Sequence, residues 1–212
     1  MRNSHLTAPE LEAVEVSGHT RSAFLVRGTL AAGAVIGSSA LSPLVSRALA
    51  QDGGGDVDVL NYALTLEALE FAFYDQGLKE VSGLSMSTKR LAREIRDNEM
   101  EHVQALTETI KQLGGKPAMA PGLDFGGAFA SEAAFLKLAN TLEDTGVSAY
   151  NGAAPMISSE DVLAAAGAIV QVEARHAALI RLERDKDPSP LAFDKASSMD
   201  EVLAAVKPLI RA

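Results

Sequence analysis

The chain has 212 residues, a formal net charge of −9 at pH 7, no cysteine and 47% hydrophobic residues. An acidic balance of this kind repels phosphate backbones and argues against nucleic acid as a partner. The lack of cysteine excludes disulfides, iron–sulfur clusters and thiol chemistry.

Residues 1–50 differ in character from the rest. Residues 28–46 carry no charge and include Leu30, Ala31, Ala32, Ala34, Val35 and Ile36. Arg21 and Arg27 stand on the N-terminal side, and Ala48, Leu49 and Ala50 close the stretch. A basic flank, an apolar centre and a small-x-small end predict an export signal cleaved after Ala50. Residues 20–25 resemble a twin-arginine (Tat) signal, but Ser22 stands where the second arginine belongs, so the Tat and Sec routes both stay open. Glu10, Glu12 and Glu15 are unusual ahead of a signal. Gly33, Gly37, Ser38, Ser39 and Pro43 make the stretch a poor permanent membrane span. Cleavage removes four Arg and three Glu, so residues 51–212 carry −10. The expected location is periplasmic or extracellular, and a domain of this size needs no covalent staple.

Residues 51–56 form a glycine-rich tether. Four long helical patterns follow over residues 57–186, with an extension at 187–212. In the first, Leu60, Leu64, Phe71, Tyr74 and Leu78 make an apolar stripe at helical spacing. Glu67 falls on that stripe, whereas Glu70 falls off it and reads as an exposed residue. Residues 81–87 make a short turn with Ser87 as the expected N-cap. The second helix carries Leu91, Ile95, Leu106 and Ile110 on one face, with Glu99 and His102 in the same row. Glu94, Asp97, Glu101 and Glu108 form its solvated face. Gly114 and Gly115 end it.

Residues 114–130 show no helical pattern and contain Pro117 and Pro121. A loop of this length in a compact domain calls for a reason. A helix of about 25 residues is roughly 37 Å long, and the loop can reach over about 50 Å. It can therefore run the length of a bundle, making helices two and three parallel neighbours. The third helix opens at Ser131 and has Leu136, Ala139, Glu143, Gly146, Tyr150 and Ile157 on its stripe, and Pro155 kinks or ends its last turn. Ser158 and Asp161 predict the start of the fourth. Val162, Ala166, Ile169, Glu173, His176 and Ile180 make its stripe, and Pro188 and Pro190 stop it. Ser198 and Glu201 cap a short amphipathic helix over residues 202–210, laid against the bundle. Met86, Met100, Met119 and Met156 are scattered and suggest packing. The fold class is all-α: a four-helix bundle with a long crossover between helices 2 and 3 and a short C-terminal helix.

The chemistry lies in an internal repeat. Glu99 precedes His102 by three residues, Glu173 precedes His176 by three, and each pair follows a lone glutamate, Glu67 or Glu143. Residues three apart share a helix face, so each Glu–His pair can bind one ion. One pair supplies too few ligands, so Glu67 and Glu143 complete a set for two ions, with Glu99 and Glu173 bridging. Carboxylates plus imidazole favour iron or manganese, about 3.5–4 Å apart. Any one of these residues alone reads as a solvated Glu or a hydrogen-bonded core His. Together they do not: residues 51–212 hold 13 Glu and two His, and both His gain such a Glu by chance with a frequency of about 0.6%, a guard against motif false positives. Tyr74 and Tyr150 each lie two turns after a lone Glu. They read as contacts to a ligand or as core-filling side chains, and the core-filling reading is preferred to a role as electron donor.

The set Glu67, Glu99-x-x-His102, Glu143 and Glu173-x-x-His176 resembles the ferritin-like di-iron carboxylate superfamily. The run from Leu60 to Tyr74, LNYALTLEALEFAFY, is similar to the opening of the ferritin-like family that includes desiccation-related proteins. The resemblance covers residues 55–185. It implies a ferritin-like four-helix bundle with two iron or manganese ions held by these six residues and no catalytic residue beyond them. Related proteins act on oxygen, peroxide or Fe(II), so small oxidants are the expected partners, while others have no established activity. The expectation is therefore an exported dinuclear redox protein, a ferroxidase, peroxidase or manganese-catalase type. The alternatives are a non-catalytic stress or desiccation protein with a structural or vestigial metal, and a storage cage. A homo-oligomer stays open.

Overall fold

The structure, a computed structural model, describes residues 55–211. The expected export signal at 1–50 and tether residues 51–54 lie outside the described residues. Five α-helices are formed: α1 (Asp56–Glu80), α2 (Met86–Gln112), α3 (Glu132–Ala153), α4 (Glu160–Glu183) and α5 (Met199–Val206). Short 3-10 turns occupy Gly126–Phe129, Ala154–Met156 and Lys207–Leu209. Among the described residues there is no strand, only an isolated antiparallel bridge between Leu123 and Ile210.

Local chemistry sets the helix ends, with small shifts from the sequence expectation. Ser85, rather than Ser87, caps α2 by accepting from the Thr88 amide at 3.1 Å. Ser159, rather than Ser158, caps α4. The amides of Ser158 and Ser159 instead donate to the Asp56 carboxylate at 2.6 and 2.8 Å, so the start of α1 fixes the α3–α4 turn. Ser131 caps α3 as expected, and Ser198 with Glu201 forms a full capping box on α5. Gly114 takes φ +80°, and the Gly115 amide donates to the Ile110 carbonyl at 2.8 Å, ending α2 in the left-handed cap glycine favours.

Among the long helices the packed pairs are α1–α2, α3–α4, α1–α3 and α2–α4, and α5 packs on α3. Helices α1 and α3 run antiparallel, because Tyr150 meets Glu67 while Tyr74 meets Glu143. The crossover therefore leaves α2 and α3 parallel, as its length predicts, but they sit diagonally rather than as neighbours. Helices α1 and α3, the two with the most buried residues, pack on each other and occupy the shared side instead. By length and composition α4 alone among the described helices is able to cross a bilayer, yet it carries Glu173 and His176 into the bundle.

The crossover is a lid over α1. Phe73 is fully buried, with ring centroids of Phe125, Phe129 and Phe135 at 5.3, 5.6 and 4.9 Å. Burying one such ring stabilises by about 1.5–3 kcal/mol. Asn61 fastens the lid's first half, donating to the Lys116 carbonyl and accepting from the Ala118 amide. The C-terminal segment fastens its second half: Asp124 donates to Leu209 and Arg211 to Gly122, each at 2.9 Å. Helix α5 buries Val202, Leu203 and Val206 against the main core.

Two sequence expectations fail here. Glu70 is buried rather than exposed. Helix α1 is covered on nearly every side, so lying off one apolar stripe does not mean facing water. The four singled-out methionines are exposed on turns and outer faces, with Met86 87% and Met119 74% accessible, and do not pack the core.

Candidate metal centre

Each long helix delivers one glutamate of the expected set to one point in the bundle. Helix α1 brings Glu67, α2 brings Glu99 and His102, α3 brings Glu143, and α4 brings Glu173 and His176. The three-residue spacing puts carboxylate and imidazole on the same face in both α2 and α4. All four glutamates are fully buried, and the two histidines nearly so. The structure brings all six expected residues together.

Both imidazoles point Nδ1 inward. His102 Nδ1 lies 3.1 Å from each of Glu67 Oε2, Glu99 Oε2 and Glu173 Oε1. His176 Nδ1 lies 2.9 Å from Glu99 Oε1, 3.4 Å from Glu143 Oε2 and 3.6 Å from Glu173 Oε2. Glu99 and Glu173 thus each send one oxygen to either histidine, while Glu67 and Glu143 each serve one. Two groups of potential ligand atoms result: Glu67, Glu99, His102 and Glu173, and Glu99, Glu143, Glu173 and His176, each within 4.8 Å internally. A pair of cations sharing two carboxylates fits this arrangement.

The tyrosines reach across the bundle. Tyr74 donates to Glu143 Oε1 and Tyr150 to Glu67 Oε1, both at 2.5 Å. Each leaves the second oxygen of its carboxylate turned toward a histidine, so both contact candidate ligands, as the sequence suggested. Asn98, which the sequence reading missed, places its carboxamide 3.0 Å from His176 Nε2. A partner on the outer nitrogen orients the ring and fixes its tautomer.

Electrostatics show what this cluster lacks on its own. Burial drives the Glu67 carboxyl well above its usual range, and Glu173 adds to the effect. Burial likewise pushes Glu143 up to about 8 against the pull of His176. Glu99 goes the other way, to about 2, because its bonds to His102 and His176 outweigh burial. Burial favours neutral imidazoles, yet the surrounding carboxylates raise both His102 and His176 to about 12. The cluster on its own therefore holds protons among its carboxylates and imidazoles. Even so, Glu99 Oε1, Glu143 Oε2, both Glu173 oxygens and His176 Nδ1 meet only through these ion-pair contacts, with no aligned hydrogen bond. Unsatisfied buried polar atoms are costly, and ones that converge on a shared point fit metal ions.

A fifth buried carboxylate lies beside the cluster. Glu70 is 3% exposed and has one oxygen without a partner. Burial raises its carboxyl well above the usual range, with Glu173 and Glu143 next in effect. A signal for it exists in the sequence: Glu67-x-x-Glu70 repeats the spacing of the two Glu-x-x-His pairs. Its place off the α1 apolar stripe masks that signal.

Among known families, residues 55–185 match the one described as a ferritin-like domain. No curated protein matches the chain.

Proposed function

The chain belongs to the ferritin-like domain family, and from that premise we propose that it is an exported protein with a dinuclear iron or manganese site that reacts with oxygen, peroxide or Fe(II). The observation that carries the metal reading is the shared pair, Glu99 and Glu173, each sending one oxygen to either histidine. Export rests on the basic flank, apolar stretch and small-x-small end of residues 21–50. The redox reading rests on the donor set, since mixed carboxylate and imidazole suits metals that change oxidation state.

Glu67 and His102 would hold one ion, Glu143 and His176 the other, with Glu99 and Glu173 common to both. Bound there, the pair supplies electron transfer to or from a small oxidant. The protein's own contribution is geometry and charge. Tyr74 and Tyr150 lock one oxygen of each terminal carboxylate, and Asn98 steadies the His176 ring. Burial keeps bulk water from the carboxylates, and cations that enter would displace protons from the cluster.

Elemental analysis of protein purified without chelator tests this, compared with a Glu99→Ala/Glu173→Ala variant. About two irons or manganese per chain, lost in the variant, is the expected result. Peroxide and Fe(II) assays on the loaded protein then separate a redox centre from a structural metal: bound ions without turnover would assign the second.

A further inference from the structure

The candidate ligands obey an internal two-fold, pairing Glu67 with Glu143, Glu99 with Glu173 and His102 with His176. One buried residue breaks it. Glu70 follows Glu67 by three positions, and the residue three after Glu143 is Gly146. The Glu70 carboxyl fills the hollow this glycine leaves. A Cβ at Gly146 would lie 3.1 Å from Glu70 Oε1, 3.6 Å from Glu70 Oε2 and 3.7 Å from Glu173 Oε2. That Glu173 oxygen is the one turned to His176; its other oxygen is turned to His102. Glu70 thus stands on the His176 side of the cluster.

A buried carboxyl with an unpartnered oxygen costs desolvation and returns nothing. Packing alone would be served by a leucine or methionine, and Glu70 Oε2 makes no hydrogen bond. A cation beside Glu143 and His176 would satisfy it. Building on the dinuclear reading above, we propose that Glu70 is a seventh protein ligand, specific to the ion at Glu143 and His176, and that Gly146 is the notch that admits it. The two positions are then unequal. The His176 position offers five protein groups and holds its ion more tightly. The His102 position offers four and leaves more room for a small molecule, in keeping with the greater exposure of His102, 8% against 3%.

The test titrates the metal-stripped protein with Mn(II) under anaerobic conditions, followed by calorimetry and electron paramagnetic resonance. Wild type should bind two ions with unequal affinities. Glu70→Gln, a neutral near-isostere, should weaken one of them by roughly tenfold or more. In a His102→Ala background, which keeps the His176 position, that weakening should persist; in His176→Ala it should vanish. Gly146→Ala, which crowds Glu70 Oε1 without removing a carboxylate, should weaken the same ion. Two ions bound with affinities unchanged by Glu70→Gln, or weakened equally in both backgrounds, would overturn the role of Glu70 alone. A wild type that takes up no ion would overturn the dinuclear reading itself.

Discussion

Tyr74 donates a 2.5 Å hydrogen bond to Glu143, 69 residues later on the antiparallel helix α3, and does not turn to the glutamate on its own helix. Tyr150 returns the same bond to Glu67. Each tyrosine is thereby an alignment pin between α1 and α3, holding one carboxylate oxygen so that the other faces a histidine. Tyr74→Phe should release Glu143 and leave its Oε1 unpaired, at a cost of about 1–3 kcal/mol in the metal-free protein. Tyr150→Phe should do the same to Glu67. Thermal melts measure the loss. Because the two bonds serve different histidines, Tyr74→Phe should weaken the His176 ion and Tyr150→Phe the His102 ion, which metal titration of each variant reads. Equal weakening of both ions by either change would refute the one-tyrosine-per-ion arrangement.

The histidines divide the site more sharply than the carboxylates do. Three carboxylates converge on His102 Nδ1, and a different oxygen from each shared glutamate converges on His176 Nδ1. Removing one imidazole should cost one ion and spare the other. His102→Ala and His176→Ala should each reduce bound metal from about two ions per chain to about one, whereas loss of both bridging carboxylates should remove both. Plasma emission spectrometry on dialysed variants gives the count.

The acid–base state of the cluster predicts opposite pH behaviour with and without metal. Glu143 rises from 4.5 to about 8, and His102 and His176 rise from 6.5 to about 12. Groups with raised values bind more protons folded than unfolded. Their stabilisation is complete below the unfolded value and lost as pH climbs through the folded one. For Glu143 the window runs from 4.5 to about 8, and the histidines extend the loss above 6.5. Glu99, lowered to about 2, acts in the opposite sense and only in acid. The melting temperature of metal-free protein should therefore fall steadily as pH rises above about 5. Cations must displace these protons to bind, so the metal-induced rise in melting temperature should grow over the same interval. Calorimetry at several pH values checks both slopes, and a flat metal-free profile would contradict the proton count.

Helix existence, the crossover and all six clustered residues were legible because each rests on a periodic signal. Apolar spacing marks four helices, and a repeated Glu-x-x-His marks two faces that must meet. Glu70 was hidden for a physical reason. A one-stripe reading assumes one dry face, and α1 has almost none that is wet: the crossover, α2 and α3 close around it. The exchange of tyrosine partners was hidden too, since spacing within α1 cannot say which helix lies opposite. Cap positions shifted by one or two residues because neighbouring serines, Ser85 and Ser87 or Ser158 and Ser159, offer the same chemistry. The choice fell to tertiary contacts such as Asp56 on the α3–α4 turn.

The C-terminal segment offers a test of how far the lid depends on remote contacts. Gly152, near the end of α3, lies so close to residue 197 that a Cβ would stand 1.8 Å from the Ser197 carbonyl oxygen. That atom is backbone and cannot swing aside. The approach is held by Ser197 donating to the Ser148 carbonyl at 2.9 Å, just before Ser198 starts α5. Gly152→Ala should push the segment off α3 and destabilise the protein by about 1–3 kcal/mol, the usual cost of overpacking. Residues 209–211 grip the crossover at Gly122 and Asp124, so the disturbance should travel there. Hydrogen exchange should show the amides of Asp124 and Arg211 losing protection while those of α2 and α4 around the cluster keep theirs. Asp124 and Arg211 amides that stay as protected as in wild type would mean that the lid is held by Phe125 and Phe129 over Phe73, independently of α5.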